Sequence, residues 1–224
     1  MAYTTLEILL SSLYFLTLAR LIWAGLWRYT SLIPALRILY WSVVLDFVTE
    51  SMGVLMVEVF HYKGNTPIYL VYSHLSCIVY FLFYNATLPS MGFKINFYRL
   101  GLVLLLWFVA LFTYFENIFD INFIVYIITS AIVVLLSLYA IAYTILHRNQ
   151  SKSYYIKFYL FILSVFMVDL AVKSFFDLLV YIYEFNLFDI LQPIHQLICI
   201  IIYLIYHQLL FHNKDVNPST EVLV

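Results

Sequence analysis

Seven long apolar runs, separated by short polar stretches, constrain this chain more than any other feature. Their cores fall at about 6–26, 38–57, 67–88, 100–115, 121–146, 158–183 and 187–211. A hydrocarbon layer about 30 Å thick takes roughly 20 helical residues at about 1.5 Å each. Six of the runs reach that length. The fourth is the shortest and needs its flank at 96–99 to complete a crossing. Charged residues make up 10% of the chain, against about 25% in soluble domains. A chain this apolar has no way to hide its surface from water. In lipid, backbone groups must be satisfied within each segment, so the spans are helices. The expectation is an all-α polytopic membrane bundle of seven transmembrane helices, one domain over 1–224 with a short polar tail at 212–224. The first run lacks a basic leader and a small-residue cleavage site, and reads as a retained span.

Local signals mark the ends. Thr66-Pro67 opens the third span with a cap residue and a first-turn proline, Asp120 precedes the fifth, and Ser153 lies one turn before the sixth. Pro193 is expected to bend or delay the seventh. Lys and Arg set the orientation. Arg28, Arg37, Lys94, Arg99, Arg148, Lys152, Lys157 and Lys214 all fall on one side, whereas the opposite loops carry Lys63 and mostly acids. The positive side is cytoplasmic, so the N-terminus is outside and the C-terminus inside. The 21 tyrosines and 20 phenylalanines suffice for aromatic belts and for helix packing. A faint internal repeat aligns Asp46 with Asp169 and Glu50 with Lys173. Spans one to three would then match five to seven, a 3+1+3 parallel repeat about the membrane normal.

Ionisable residues deep in the apolar runs carry the functional argument, because a charge at bilayer depth costs several kcal/mol unless paired or wet. Span two holds Asp46 and Glu50, one turn apart. Span six holds Asp169, Lys173 and Asp177 at i, i+4 and i+8, on one side of a helix. Four carboxylates to one lysine leave net negative charge. That excess fits a solute, ion or proton site between spans two and six; the alternative is a structural ion-pair network that fixes helix register. His74 with Cys77, and His195 with Cys199, share helix faces in the outer half. They read as satisfied core residues or as a vestibule that senses pH; two weakly spaced His–Cys pairs make a poor zinc signature. No lysine lies in the last span, where retinal opsins hold their cofactor. Nucleophile elbows, phosphate loops and HExxH are absent, so neither an enzyme nor a cofactor is expected. Nothing points to nucleic acid.

The segment Asn65-Thr66-Pro67-Ile68-Tyr69-Leu70-Val71-Tyr72 and the closing ILQPIHQLICIIIYLIYHQLLF resemble small seven-span inner-membrane proteins of Bacteroidota-type bacteria. Those proteins often place a carboxylate shortly after the third-span tyrosines, where this chain has His74. The layout is also similar to SWEET-type sugar transporters and, more loosely, to opsin-like bundles. The resemblance implies a multi-pass protein of the bacterial inner membrane and no particular activity. The functional expectation is a transporter-like protein binding a small molecule, ion or proton at Asp46, Glu50, His74, Asp169, Lys173, Asp177 and His195. The alternatives are a ligand-sensing or accessory protein that signals through a membrane partner, and a structural or pore-forming subunit.

Overall fold

The computed structural model describes residues 5–61, 66–88, 118–146, 154–183 and 188–211. Among these residues all regular structure is helical. Six long helices run α1 (Thr5–Arg28), α2 (Pro34–Val54), α3 (Thr66–Thr87), α4 (Ile118–Leu146), α5 (Ile156–Tyr183) and α6 (Phe188–Phe211). Five of them contain stretches long and apolar enough to cross a membrane. The fourth apolar run of the sequence, 100–115, lies outside the described residues, as does Ser153.

The starts and stops follow the local chemistry with two exceptions. Ile33 is extended and Pro34 opens α2, where a missing N–H costs nothing. α3 opens at Thr66-Pro67 in the same way. By contrast α4 begins at Ile118, so Asp120 lies inside its first turn and not before it. α6 begins at Phe188 and runs through Pro193. The proline does not delay the helix; as the sixth residue it lies past the first turn and removes the N–H that would meet the Asp189 carbonyl. α2 loosens into a π turn at Leu55–Val59, and His61, with φ of 52°, ends it.

Seven serine and threonine hydroxyls inside the spans bond back to their own helices. Thr17, Ser73, Thr87, Thr129, Ser137, Thr144 and Ser164 each donate to the carbonyl four residues earlier. A hydroxyl facing hydrocarbon has no water to turn to, so this back-bonding is what lets it sit there.

Packing among the described helices closes into a ring: α1 meets α2, then α3, α4, α5 and α6 in order, and α6 returns to α1. Two pairs run in the same direction. In the α1–α6 pair, Ser11 accepts from Gln196 Nε2 at 2.8 Å toward one end, and at the other Arg28 Nη1 donates to the Phe211 carbonyl at 2.7 Å. In the α3–α4 pair, Tyr84, near the end of α3, hydrogen-bonds Ser137, in the second half of α4. Phe83, beside Tyr84, makes edge-to-face contacts with Tyr155, Phe158 and Tyr159 at the start of α5, where α4 has just ended.

The tightest core gathers at one end of the ring. Leu18 and Leu21 of α1, Leu36, Leu39 and Tyr40 of α2, Phe83 and Tyr84 of α3, Phe158 and Tyr159 at α5, and Tyr206 and Leu210 of α6 are buried together. Gly25 is needed here. A Cβ at that position would overlap the Tyr40 ring, which is held by donation from its hydroxyl to the Ile22 carbonyl at 3.0 Å and by edge contact with Tyr29. Arg28, Arg37 and Lys157 lie at this same end. Trp23, Trp27 and Trp41 are exposed near it, as an aromatic belt requires.

Candidate functional site: carboxylates held by tyrosines

The opposite half of the ring holds the half-buried carboxylates. Asp46 lies 12 residues into α2, about 18 Å along the helix at about 1.5 Å per residue. Its Oδ1 accepts from the Tyr72 hydroxyl of α3 at 2.6 Å, and its Oδ2 from the Tyr203 hydroxyl of α6 at 2.9 Å. One turn on, Glu50 Oε2 accepts from the Tyr69 hydroxyl at 2.9 Å. The two α2–α3 bonds form a ladder, with 46 opposite 72 and 50 opposite 69. That is the register of two antiparallel helices joined by a short connection. Tyr69 and Tyr72 touch edge to face, with centroids 6.5 Å apart.

Asp169, on α5, belongs to a second nest. Its Oδ2 accepts from the Tyr126 hydroxyl of α4. Its Oδ1 faces His195 Nε2 of α6 at 3.8 Å. His195 Nε2 also lies 3.7 Å from Cys199 Sγ. Asp169 is within electrostatic range of Asp46, although α2 and α5 sit on opposite sides of the ring.

α6 joins the two nests. His195, Cys199 and Tyr203 recur every fourth residue and make a single polar stripe on a helix face. One end of the stripe meets Asp169 and the other meets Asp46. Tyr14 of α1 packs against Tyr203, centroids 5.8 Å apart. Tyr206, three residues beyond, leaves the stripe for the packed core, where it donates to the Leu39 carbonyl at 3.0 Å.

Sequence reasoning singled out Asp46, Glu50, Asp169 and His195, and the fold brings Asp46 with Glu50 and Asp169 with His195. His74 Nδ1 lies 2.8 Å from the Leu70 carbonyl of its own helix. The side chains of Lys173 and Asp177 lie outside the described residues. The described residues hold no group of three or more His, Cys, Asp or Glu placed to bind a metal. The tyrosines were missed. Asp46 and Glu50 are four residues apart on α2, and Tyr69 and Tyr72 are three apart on α3. That spacing, on helices that must run antiparallel, was the available signal. Tyr126 and Tyr203 carry no such mark among so many tyrosines.

The chain shows no match to a protein-family model, to a curated protein or to a solved structure.

Proposed function

We propose that this is a transporter-like protein of the bacterial inner membrane, crossing seven times with its N-terminus outside, that binds a small solute, ion or proton among its helices. The arrangement of Asp46 carries the reading. A carboxylate in the apolar interior of a helical bundle is expensive, and here it is held by hydroxyls from two other helices. Three helices are thus tied to one ionisable group, so a change in its charge or its ligand would be felt by all three. A protein that needed only register could use apolar packing for less.

The seventh crossing is supported by direction. If 89–117 did not cross, strict alternation would set α3 against α4 and α1 against α6. Both pairs instead run the same way, which an additional crossing between α3 and α4 supplies. The outside assignment rests on the clustering of Arg28, Arg37 and Lys157 at the packed end. That places the carboxylates toward the outer half. The side chains of Asp169 and His195 keep 28% and 37% of their exposure, while Phe83, Tyr84, Tyr159 and Tyr206 at the inner end are buried. A site looser on the outside and sealed inside suits capture of a ligand from outside.

The test is thermal stability of the purified protein across a panel of sugars, amino acids, amines and monovalent cations, with Asp46→Asn alongside. A ligand at about 100 times its dissociation constant adds about 2.7 kcal/mol. A shift present in the wild type and absent from Asp46→Asn is the expected result. A panel that shifts neither protein, while Asp46→Asn melts at the wild-type temperature, would sink the reading.

A further inference from the structure

We propose that Asp169 of α5 and His195 of α6 form a proton-binding pair, and that the proton, not a metal cation, is the ionic ligand of the bundle. This rests on the transporter-like reading above and specifies its ion.

The donor chemistry decides against a metal. Alkali and alkaline-earth cations ask for about six oxygen lone pairs turned toward one point. Both oxygens of Asp46 accept from tyrosine hydroxyls, and Asp169 Oδ2 accepts from Tyr126. Hydroxyl hydrogens therefore already take one lone pair on each of these three oxygens, which leaves fewer for a cation. A proton needs one lone pair only. Asp169 Oδ1 faces a ring nitrogen, 3.8 Å away, slightly beyond direct hydrogen-bonding distance and within reach of a small side-chain rotation.

The charge balance is simple. Imidazole that is neutral gains one proton on nitrogen and becomes a cation facing an ionised carboxylate. The pair changes from one negative charge to none, and losing the proton restores the first state. No redox partner or leaving group is involved. Other groups face the pair. Tyr126 comes from α4 and Cys199 from α6 itself. Asp46 of α2 and Tyr72 of α3 lie in electrostatic range of Asp169, and Tyr14 of α1 in range of Cys199. On α5, Lys173 and Asp177 follow Asp169 by one and two turns. Two interacting groups titrate as a unit, so protonation here changes the field at Asp46 and the pull on the stripe of α6.

The experiment is a pH titration of the purified, full-length protein in detergent, without solute. Histidine nitrogens are followed by NMR and carboxyl bands by infrared difference spectroscopy. In the wild type, His195 and Asp169 are expected to report one shared step. Asp169→Asn should move the His195 step, and His195→Gln should move or abolish the Asp169 band change. Should Asp169→Asn fail to fold, Asp169→Glu keeps the charge and should displace the step by altering the separation. A His195 step unmoved by either substitution overturns the pair. Sodium or lithium raising thermal stability at fixed pH, with that rise lost in Asp169→Asn, overturns the choice of ion. Because no solute is present, the pair can stand or fall separately from solute binding.

Discussion

Tyr203 of α6 donates its hydroxyl to Asp46 of α2 across 2.9 Å, although α1 lies between those two helices in the ring. The bond spans the interior and does not follow the packing of neighbours. Tyr72 holds the other oxygen of the same carboxylate. Hydrogen bonds to charged groups are worth about 1.5–3 kcal/mol, but interhelical bonds in membranes average nearer 0.6 kcal/mol. Tyr203→Phe is therefore expected to destabilise the protein by about 1–2 kcal/mol, and Tyr72→Phe by a similar amount. Denaturant or thermal unfolding in mixed micelles measures both. The double substitution should cost more than the sum, because it leaves Asp46 without either donor. Strict additivity would mean that the carboxylate finds other partners.

How much of this was legible beforehand differs between the charges and their partners. Asp46, Glu50 and Asp169 announce themselves because each interrupts an apolar run, and hydropathy makes the interruption visible. Counting along the spans puts them near the middle of the membrane. The partners do not announce themselves. A tyrosine is equally at home in a belt, in a core or on a carboxylate, and only the tertiary register decides. Tyr206 and Tyr203 are three residues apart on α6, yet one caps the Leu39 carbonyl in the packed core and the other holds Asp46. The π turn at Leu55–Val59 likewise has no local mark that sets it apart from the α-helix before it.

Gly25 and Tyr40 make a second interdependent pair. Ala is the better helix former by about 0.5–1 kcal/mol in a helix interior, so propensity alone would favour Gly25→Ala. The methyl, however, would occupy the space of a ring pinned by its own hydrogen bond and by Tyr29. Overpacking of a fitted core costs about 1–3 kcal/mol, which outweighs the gain. Gly25→Ala is expected to lower the melting temperature. Combining it with Tyr40→Leu should give a smaller loss than the two single changes added together. A more stable Gly25→Ala protein would show that α1 and α2 can part at little cost.

The Tyr84–Ser137 contact predicts an asymmetry. Ser137 also donates to the Val133 carbonyl at 2.8 Å, so Tyr84→Phe leaves it satisfied. Ser137→Ala, by contrast, strands the buried Tyr84 hydroxyl. An unsatisfied buried group costs about 1–3 kcal/mol, and a lost but replaceable bond about 0.5–1.5 kcal/mol. Ser137→Ala should therefore be the more damaging change, and the double variant should resemble Tyr84→Phe alone. Equal effects of the two single substitutions would count against a direct bond between α3 and α4.

Topology gives the last prediction, and it addresses the stretch 89–117 directly. α3 ends at the packed, basic end of the ring, whereas α4 begins at the end near His61, because the two helices run the same way. On the seven-span proposal, the intervening stretch carries the chain from one face of the bilayer to the other. Its run at 100–115 is short, but it reaches the length of a crossing when 96–99 is included. Single cysteines, introduced into a protein with Cys77 and Cys199 replaced by alanine, test this with a membrane-impermeant maleimide on intact cells. Cysteines at His61 and Glu116 should be labelled from outside. Those at Thr30, Ser90 and Lys152 should be labelled only after the membrane is opened. Labelling of Ser90 and Glu116 from the same side would remove the crossing, and with it the seven-span count. Labelling of Thr30 from outside, with His61 protected, would keep the count but invert the protein, and the carboxylates would then face the cytoplasm.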